Sequence, residues 1–413
     1  MTPDSVAGHP TERAAAAPGG LTGATLLGLS GLALLGPFAT DAFLPVLPRI
    51  SEEFAVSAGS TQLALSGVTV GMAFGQLFSG PLSDAIGRRR PLLVGSAALA
   101  LFSLAAALAP SLPMLIAACA ILGFGASAGA TVGRAVVTDL ETGPALTRGL
   151  SLLGSAMAIG PVVAPVFGVG FALLWGWRSV FVGMAVLAAA SFLFVALLVP
   201  ESLTPARRVR GGLRAVPRAV GAAARTRAFW CGSLVVWFAF AASFAYISAS
   251  PYVLQEALGF SPAGYAISFA INGLGVVGGG LVAARLARRW TPHRILALGL
   301  TVLTLGAASV VLAILSGAMT VWLILPGFFL LAAACGLYIG PSLALAVAEL
   351  RETAGTTLAL VGAIQFSISA VVAPLSVLGG ASDFTPLALT LTIGAVIAWV
   401  GWFVFRPRDT VSA

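Results

Sequence analysis

The sequence contains no lysine and very few charged residues of any kind. All 22 basic side chains are arginine, and charged residues make up 9% of the 413 residues, against 59% that are hydrophobic. A soluble domain has about 25% charged residues. A surface this poor in charge does not stay dissolved in water. The composition therefore excludes a soluble globular protein and indicates helices that are surrounded by lipid.

Cysteine and histidine are also scarce, which excludes several kinds of site. Cys119, Cys231 and Cys335 fall in separate apolar segments without the spacing of zinc ligands. His9 and His293 are the only histidines and lie far apart. We therefore expect no metal site, no cofactor and no disulfide. The same scarcity argues against a membrane-embedded enzyme, which would need clustered His, Asp or Cys residues.

Long apolar segments recur twelve times along the chain. A helix needs about 20 apolar residues to cross a bilayer, and the twelve segments fit that length. They lie at residues 21–47, 61–82, 91–109, 112–137, 150–174, 180–199, 229–254, 265–287, 295–315, 321–347, 354–378 and 386–405. The sequence predicts an all-α integral membrane protein of twelve transmembrane helices.

The polar stretches divide these segments into two sets of six. Residues 1–20 predict a disordered cytoplasmic tail, and residues 407–413 a second cytoplasmic tail. The longest internal polar stretch, residues 201–228, is rich in arginine and predicts a cytoplasmic linker. It separates a bundle of six helices at 21–200 from a second bundle at 229–406. Two six-helix halves are the repeat plan of one large class of transporters.

The arginines predict the orientation in the membrane. With both termini inside, twenty of the 22 arginines lie on the inner side, and only Arg49 and Arg178 lie outside. An excess of arginine marks the cytoplasmic side of membrane proteins. We expect a multi-pass protein of the plasma membrane with cytoplasmic termini, acting as a monomer. Because the basic residues are spread over separate loops, we expect no nucleic-acid partner despite the net charge of +8.

Ionisable residues inside the apolar segments are few, and we take them as candidates for function. Asp41 is the only acidic residue deep in any segment, in the outer half of the first. A carboxylate in a membrane usually lines a cavity or a proton path, so Asp41 is the candidate for proton coupling. The alternative is an interfacial carboxylate that is wetted from outside. Arg134 either lines the transport cavity or extends to the inner headgroups.

Three uncharged polar residues are further candidates for the cavity wall or for substrate binding. Tyr246, Asn272 and Gln365 each carry hydrogen-bonding groups within an apolar segment. For any one of them a structural hydrogen bond to a neighbouring helix is the competing interpretation.

Residues 80–90, Gly-Pro-Leu-Ser-Asp-Ala-Ile-Gly-Arg-Arg-Arg, form the most specific motif. Gly87 allows the tight turn that this loop needs. Asp84 can pair with an arginine or lie at a helix N-terminus. We interpret Gly80, Asp84, Gly87, Arg88 and Arg89 as a conformational latch between the two bundles.

This loop resembles the signature loop between the second and third helices of the major facilitator superfamily. Residues 160–168, with Gly160, Pro161 and Pro165, look like the antiporter motif of its drug exporters, and the two prolines predict a bent helix. Further matches to the Bcr/CflA branch of drug–proton antiporters lie at 40–48, 176–178, 200–203 and 244–254. The resemblance implies the major facilitator fold and export of small hydrophobic drugs, such as chloramphenicol or bicyclomycin, in exchange for protons.

The chain departs from this family at two positions. Ala85 stands where the family loop usually has arginine. Cys119 stands where the family usually has an intramembrane arginine that is thought to assist proton coupling. Arg134 is about four turns further along the helix and does not replace it. A facilitator or uptake permease for a sugar or another small metabolite is the alternative function, although a sugar site would need more polar groups than these segments offer.

Overall fold

The structure is a computed structural model that describes residues 21–208, 216–317, 319–350, 353–380 and 382–406. The two predicted tails, 1–20 and 407–413, lie outside the described residues, as does part of the predicted linker. Within that linker the described residues include one short helix, Val216–Ala223.

Helices account for nearly all of the part of the chain that is described. They are α1 Gly23–Asp41, α2 Leu47–Phe54, α3 Ala58–Ile86, α4 Arg89–Ala107, α5 Leu112–Leu140, α6 Gly143–Trp175, α7 Trp177–Leu198, α8 Val216–Ala223, α9 Arg227–Pro251, α10 Pro262–Leu286, α11 Pro292–Leu315, α12 Val321–Val347, α13 Ala354–Leu375 and α14 Thr385–Phe405. Twelve spans, the first containing α1 and α2 and the seventh extending past α9 to Ala257, are long and apolar enough to cross a membrane. The predicted all-α membrane fold is confirmed.

The spans pack as two bundles of six. In the first half, α1 to α7, helix α5 packs against α1, α3 and α4. In the second half, α9 to α14, helix α12 packs against α9, α10 and α11. The halves meet along two helix pairs, α3 with α13 and α6 with α10. We call the end that carries Arg88 the basic face, and the end that carries Glu53 the opposite face.

Two spans differ from their apolar segments. The predicted first segment runs over residues 21–47, but the helix ends at Asp41 and a 3-10 turn at Leu44–Val46 leads into α2. Pro45 and Pro48 follow this break, and neither can donate a backbone hydrogen bond. The fifth span starts at Gly143, seven residues before its predicted apolar segment at 150–174.

Glycines set the close packing inside each half. On α3, Gly67 and Gly75 lie so near α5 that a Cβ atom would come within 2.8 Å of the carbonyl oxygens of Ile116 and Phe124. On α10, Gly279 lies against the backbone of α12. Small residues let membrane helices approach in this way. Both contacts join helices of the same half, so these glycines serve packing within each half.

Candidate functional site

A central cavity of about 350 Å³ lies between the two halves. Helices α1, α3, α5 and α6 of the first half and α9, α10, α12 and α13 of the second form its wall, and the lining is largely apolar. Its aromatic residues come from the second half. The wall includes Pro37, Thr40, Asp41, Gln76, Arg134, Pro161, Phe240, Phe244, Tyr246, Phe269, Gly273, Gln365 and Phe366.

Asp41 is the last residue of α1 and lies in the cavity wall. Its side chain is buried, with 6% of the residue exposed. The hydroxyl of Thr40 donates to it over 2.8 Å, and it forms no ion pair among the described residues. Tyr246 of the second half lines the same cavity. Asp41 therefore lies where the halves face each other, away from the water at either membrane surface.

Arg134 also lines the cavity and lies in the part of α5 that is near the basic face. Its Nε atom donates to the carbonyl oxygen of Ala130, one turn back along the helix, over 3.1 Å. The side chain is thus directed away from the basic face and towards the middle of the membrane. Of the two expectations for Arg134, the geometry favours the cavity wall over contact with headgroups.

The three uncharged candidates have different positions. Tyr246 and Gln365 line the cavity. Asn272 is buried beside the lining residues Phe269 and Gly273 and is not part of the wall. Its Nδ2 atom has no hydrogen-bond partner among the described residues.

The predicted antiporter motif packs one wall of the cavity against its neighbours. Helix α6 continues through Pro161 and Pro165, and the bend expected there stays a prediction. A Cβ atom on Gly160 would overlap the ring of Pro37 on α1. Across the interface, a Cβ atom on Gly273 would come within 2.9 Å of the backbone nitrogen of Val162. The motif thus brings α6 close to both the Asp41 helix and the second half.

The cavity is closed at the opposite face by hydrogen bonds between the halves. Among the described residues, the first half contributes to these bonds only through positions 45 to 66. The pairs are Pro45 O with Gln255 (3.0 Å), Ser51 with Tyr252 (3.3 Å), Ser66 with the carbonyl oxygen of Ala370 (2.6 Å), and Gln62 with the carbonyl oxygen of Ser248. Among the described residues no hydrogen bond joins the halves at the basic face, and Arg134, the charged wall residue nearer that face, is exposed.

The loop of residues 80–90 forms a network of charges at the basic face. Arg88 is buried and pairs with two carboxylates, Asp84 in the last turn of α3 and Asp139 at the end of α5. Residues 80–86 of the predicted loop are thus helical. The Nε atom of Arg88 lies 2.8 Å from Asp139 Oδ2. All of these groups belong to the first half, so in this conformation the loop is tied to its own bundle. Its role as a latch between bundles stays a prediction.

The turn at Gly87 is closed by a third carboxylate. Gly87 has φ of 99°, a conformation that favours glycine, and its N–H caps α3 by donating to Ser83 O. Glu201 accepts from the backbone N–H groups of Arg88 (2.8 Å) and Arg89 (3.4 Å). A Cβ atom on Gly87 would collide with Glu201. A Cβ atom on Gly80 would meet no close neighbour: the nearest atom, in Thr131, would be 3.9 Å away.

Asp139 and Glu201 are the partners that sequence reasoning missed. Asp139 lies 51 residues and Glu201 113 residues from Arg88 in sequence, so no local pattern connects them to the loop. The one sequence signal for Glu201 is its place in residues 200–203, which resemble the family but indicate no role for the carboxylate.

Comparison with known proteins identifies the family. The model of the Major Facilitator Superfamily matches residues 29–374. An uncharacterized MFS-type transporter, YdgK of Bacillus subtilis (strain 168), is 34% identical over 92% of this chain and 94% of its own. Multidrug resistance protein D of Escherichia coli (strain K12) is 26% identical over 93% and 96%. A chloramphenicol resistance protein of Pseudomonas aeruginosa is 30% identical over 69% and 67%.

Solved structures match the fold at low sequence identity. A D-xylose–proton symporter superposes with a TM-score of 0.72 at 18% identity, covering 94% of this chain and 98% of that one. A bacterial homologue of the human lysosomal transporter Spinster, in an inward-facing and unoccupied conformation, gives 0.72 at 17% identity, covering 92% and 97%. The family match and the resistance-protein relatives together confirm the predicted resemblance: the chain belongs to the Major Facilitator Superfamily of transporters, in its drug–proton antiporter family.

Proposed function

We propose that this protein exports small hydrophobic drugs or antibiotics, of the chloramphenicol or bicyclomycin kind, in exchange for protons. It would do so from the plasma membrane, with both termini in the cytoplasm. The observation that carries the proposal is a central cavity with an aromatic, apolar wall in which Asp41 is the only carboxylate among the described lining residues. The names of the resistance-protein relatives support the drug class.

Alternating access would use the contacts between the halves as its gate. The cavity would be reached from the basic face, where no described hydrogen bond joins the halves and which the arginine distribution predicts to be cytoplasmic. A drug would enter there. The four hydrogen bonds at the opposite face are each worth about 1 kcal/mol net. Breaking these four bonds therefore costs only a few kcal/mol, which differences in binding energy between states can supply.

Asp41 would couple the proton to the drug by competition. A buried carboxylate without a basic partner is more stable in its protonated, neutral form. A drug that fills the cavity around Asp41 changes the surroundings of that proton, and each ligand then weakens the other's binding. By linkage, the effect of drug on proton binding equals the effect of proton on drug binding.

The test combines a susceptibility panel with transport in proteoliposomes. The gene is expressed in a host without its own drug pumps, and growth is measured with chloramphenicol, bicyclomycin and other hydrophobic drugs. Purified protein is then reconstituted, and uptake of an active drug is measured with and without an imposed pH gradient. We expect resistance and gradient-driven accumulation. A flat panel with gradient-driven sugar or metabolite uptake would overturn the proposal in favour of a permease.

A further inference from the structure

Arg134 is a charged group in the cavity that drug–proton exchange at Asp41 does not use. Its Nε atom bonds only to the carbonyl oxygen of Ala130, and it forms no ion pair among the described residues. By contrast, Arg88 and Arg178 both pair with carboxylates. An arginine inside a membrane protein is costly unless an anion or a hydrated cavity compensates its charge.

Asp41 is too far away to be that anion. Gly129, five residues before Arg134, packs against the backbone of Leu32. The guanidinium is directed back over Ala130 and so lies near the level of Leu32 on α1. Asp41 follows nine residues later, which at 1.5 Å per residue is about 13 Å along the helix. The two charges therefore mark opposite ends of the cavity.

Aromatic side chains fill the wall between these two ends. Phe240, Phe244, Phe269 and Phe366 all line the cavity, and the rings of Phe240 and Phe366 meet edge to face with centroids 6.1 Å apart. The charged arginine thus borders an aromatic surface, and the one described carboxylate is at the far end. Such a site matches a ligand with an aromatic body and an anionic group at one end.

We propose that the cavity binds amphiphilic organic acids, with the carboxylate held by Arg134 and the aromatic body against the phenylalanines of the second half. This inference rests on the proposed transport function and specifies the substrate class of the same site. The planar guanidinium presents two parallel N–H donors that match a carboxylate. Arg134 has no ion-pair partner of its own among the described residues, so an anion gains more from this contact than an uncharged molecule of the same shape.

The test compares one acid with its uncharged ester. Purified protein in nanodiscs of phosphatidylcholine is titrated with dansylglycine and with dansylglycine methyl ester, and the dansyl fluorescence gives both dissociation constants. We expect the wild-type protein to bind the acid at least about tenfold more tightly, as charge-assisted hydrogen bonds allow. Equal binding of acid and ester by the wild-type protein would overturn the inference without any mutant.

Variants assign the preference to Arg134. In Arg134→Gln we expect the acid to lose about tenfold in affinity while the ester is unchanged, and Arg134→Lys should retain part of the preference. Arg148→Gln is the matched control, because Arg148 is exposed at the start of α6, outside the cavity wall. An unchanged acid-to-ester ratio in a folded Arg134→Gln protein would contradict the inference.

Two further measurements distinguish a substrate acid from an anionic lipid and from an uncharged drug. If an anionic lipid is the true partner of Arg134, nanodiscs with phosphatidylglycerol should abolish acid binding. That result would overturn the inference that the acid is the substrate. Gradient-driven transport of uncharged drugs is measured on the same preparation. Intact drug export without acid preference overturns this inference alone, whereas acid binding without any proton-driven export overturns the proposed function.

Discussion

The two halves of the molecule share one fold but contribute different chemistry to the cavity. The first half supplies the only two charged lining residues among those described, Asp41 and Arg134. The second half supplies the phenylalanines, together with Tyr246 and Gln365. We infer that the first half makes the charged contacts to proton and substrate, and that the second half binds the apolar part of the substrate.

The loops that follow the second span of each half also differ, in whether their arginines form ion pairs. After the second span of the first half, Arg88 is buried between Asp84 and Asp139. After the second span of the second half, Arg285, Arg288 and Arg289 are exposed and form no ion pair among the described residues. Similar arginine clusters in sequence therefore form a charge network in one half and exposed, unpaired charges among the described residues of the other.

The largest expected effect comes from removing the carboxylate of Asp41, which the first half contributes to the cavity wall. Asp41→Asn should reduce gradient-driven accumulation of drug in proteoliposomes to the level of empty liposomes, because the neutral amide cannot exchange a proton. Drug exchange without a gradient should persist. Gln365→Leu changes the cavity wall of the second half and should remain coupled. If Gln365→Leu loses coupling and Asp41→Asn keeps it, the division between the halves is wrong.

Removing Arg88, the buried arginine of the first half, should destabilise the protein, whereas removing Arg289 of the second half should not. Arg88→Ala leaves Asp139, whose side chain is only 16% exposed, without its arginine partner, which should destabilise the protein by about 3 kcal/mol. Arg289→Ala removes an exposed side chain and should change stability by less than about 0.5 kcal/mol. Unfolding of both variants in the same mixed micelles measures the difference. Equal losses of stability would show that the two loops are equivalent after all.

A smaller effect is expected from Asp84. Its side chain is 45% exposed, so the ion pair with Arg88 adds less than about 1 kcal/mol to stability, and Asp84→Asn should insert and fold. We expect its transport to fall roughly fivefold, the lower end of common conformational coupling energies. The measurement is transport normalised to folded protein in the membrane. Wild-type rates would contradict the latch interpretation.

The smallest effect should come from the aromatic wall of the second half. Phe366→Ala removes a partly buried ring that packs against Phe240. We expect the affinity for aromatic substrates to fall roughly threefold, which corresponds to about 0.6 kcal/mol, the lower end of what an aromatic pair contributes. Proton coupling should not change. A loss of coupling with unchanged affinity would reverse the roles assigned to the two halves.

The fold was predictable from the sequence because hydropathy reports directly on lipid contact. All twelve spans matched a predicted segment, and the family motifs correctly indicated the fold. The ends were less predictable. The helix of the first span stops at Asp41 inside an apolar run, because the break depends on local proline geometry rather than on hydrophobicity.

The site was only partly predictable, since its geometry depends on contacts between distant segments. Asp41 stood out as a lone carboxylate, and the structure places it in the cavity wall. For Arg134 the sequence could not decide between the cavity and the headgroups, because the answer depends on the direction of its side chain. Asn272 lies beside the wall, whereas the next residue, Gly273, lies in it. Neighbouring residues of a helix point in different directions, which the sequence does not reveal.

The most direct test of Asp41 as the coupling residue is to measure proton release upon drug binding. Drug found active in the susceptibility panel is added to purified protein in weakly buffered detergent solution, near the pH at which binding is half-maximal, and a pH-sensitive dye reports released protons. The wild-type protein should release protons in proportion to the drug bound, up to about one per molecule, and Asp41→Asn should bind drug without releasing any. Equal proton release from the two proteins would contradict the assignment of Asp41 as the coupling residue.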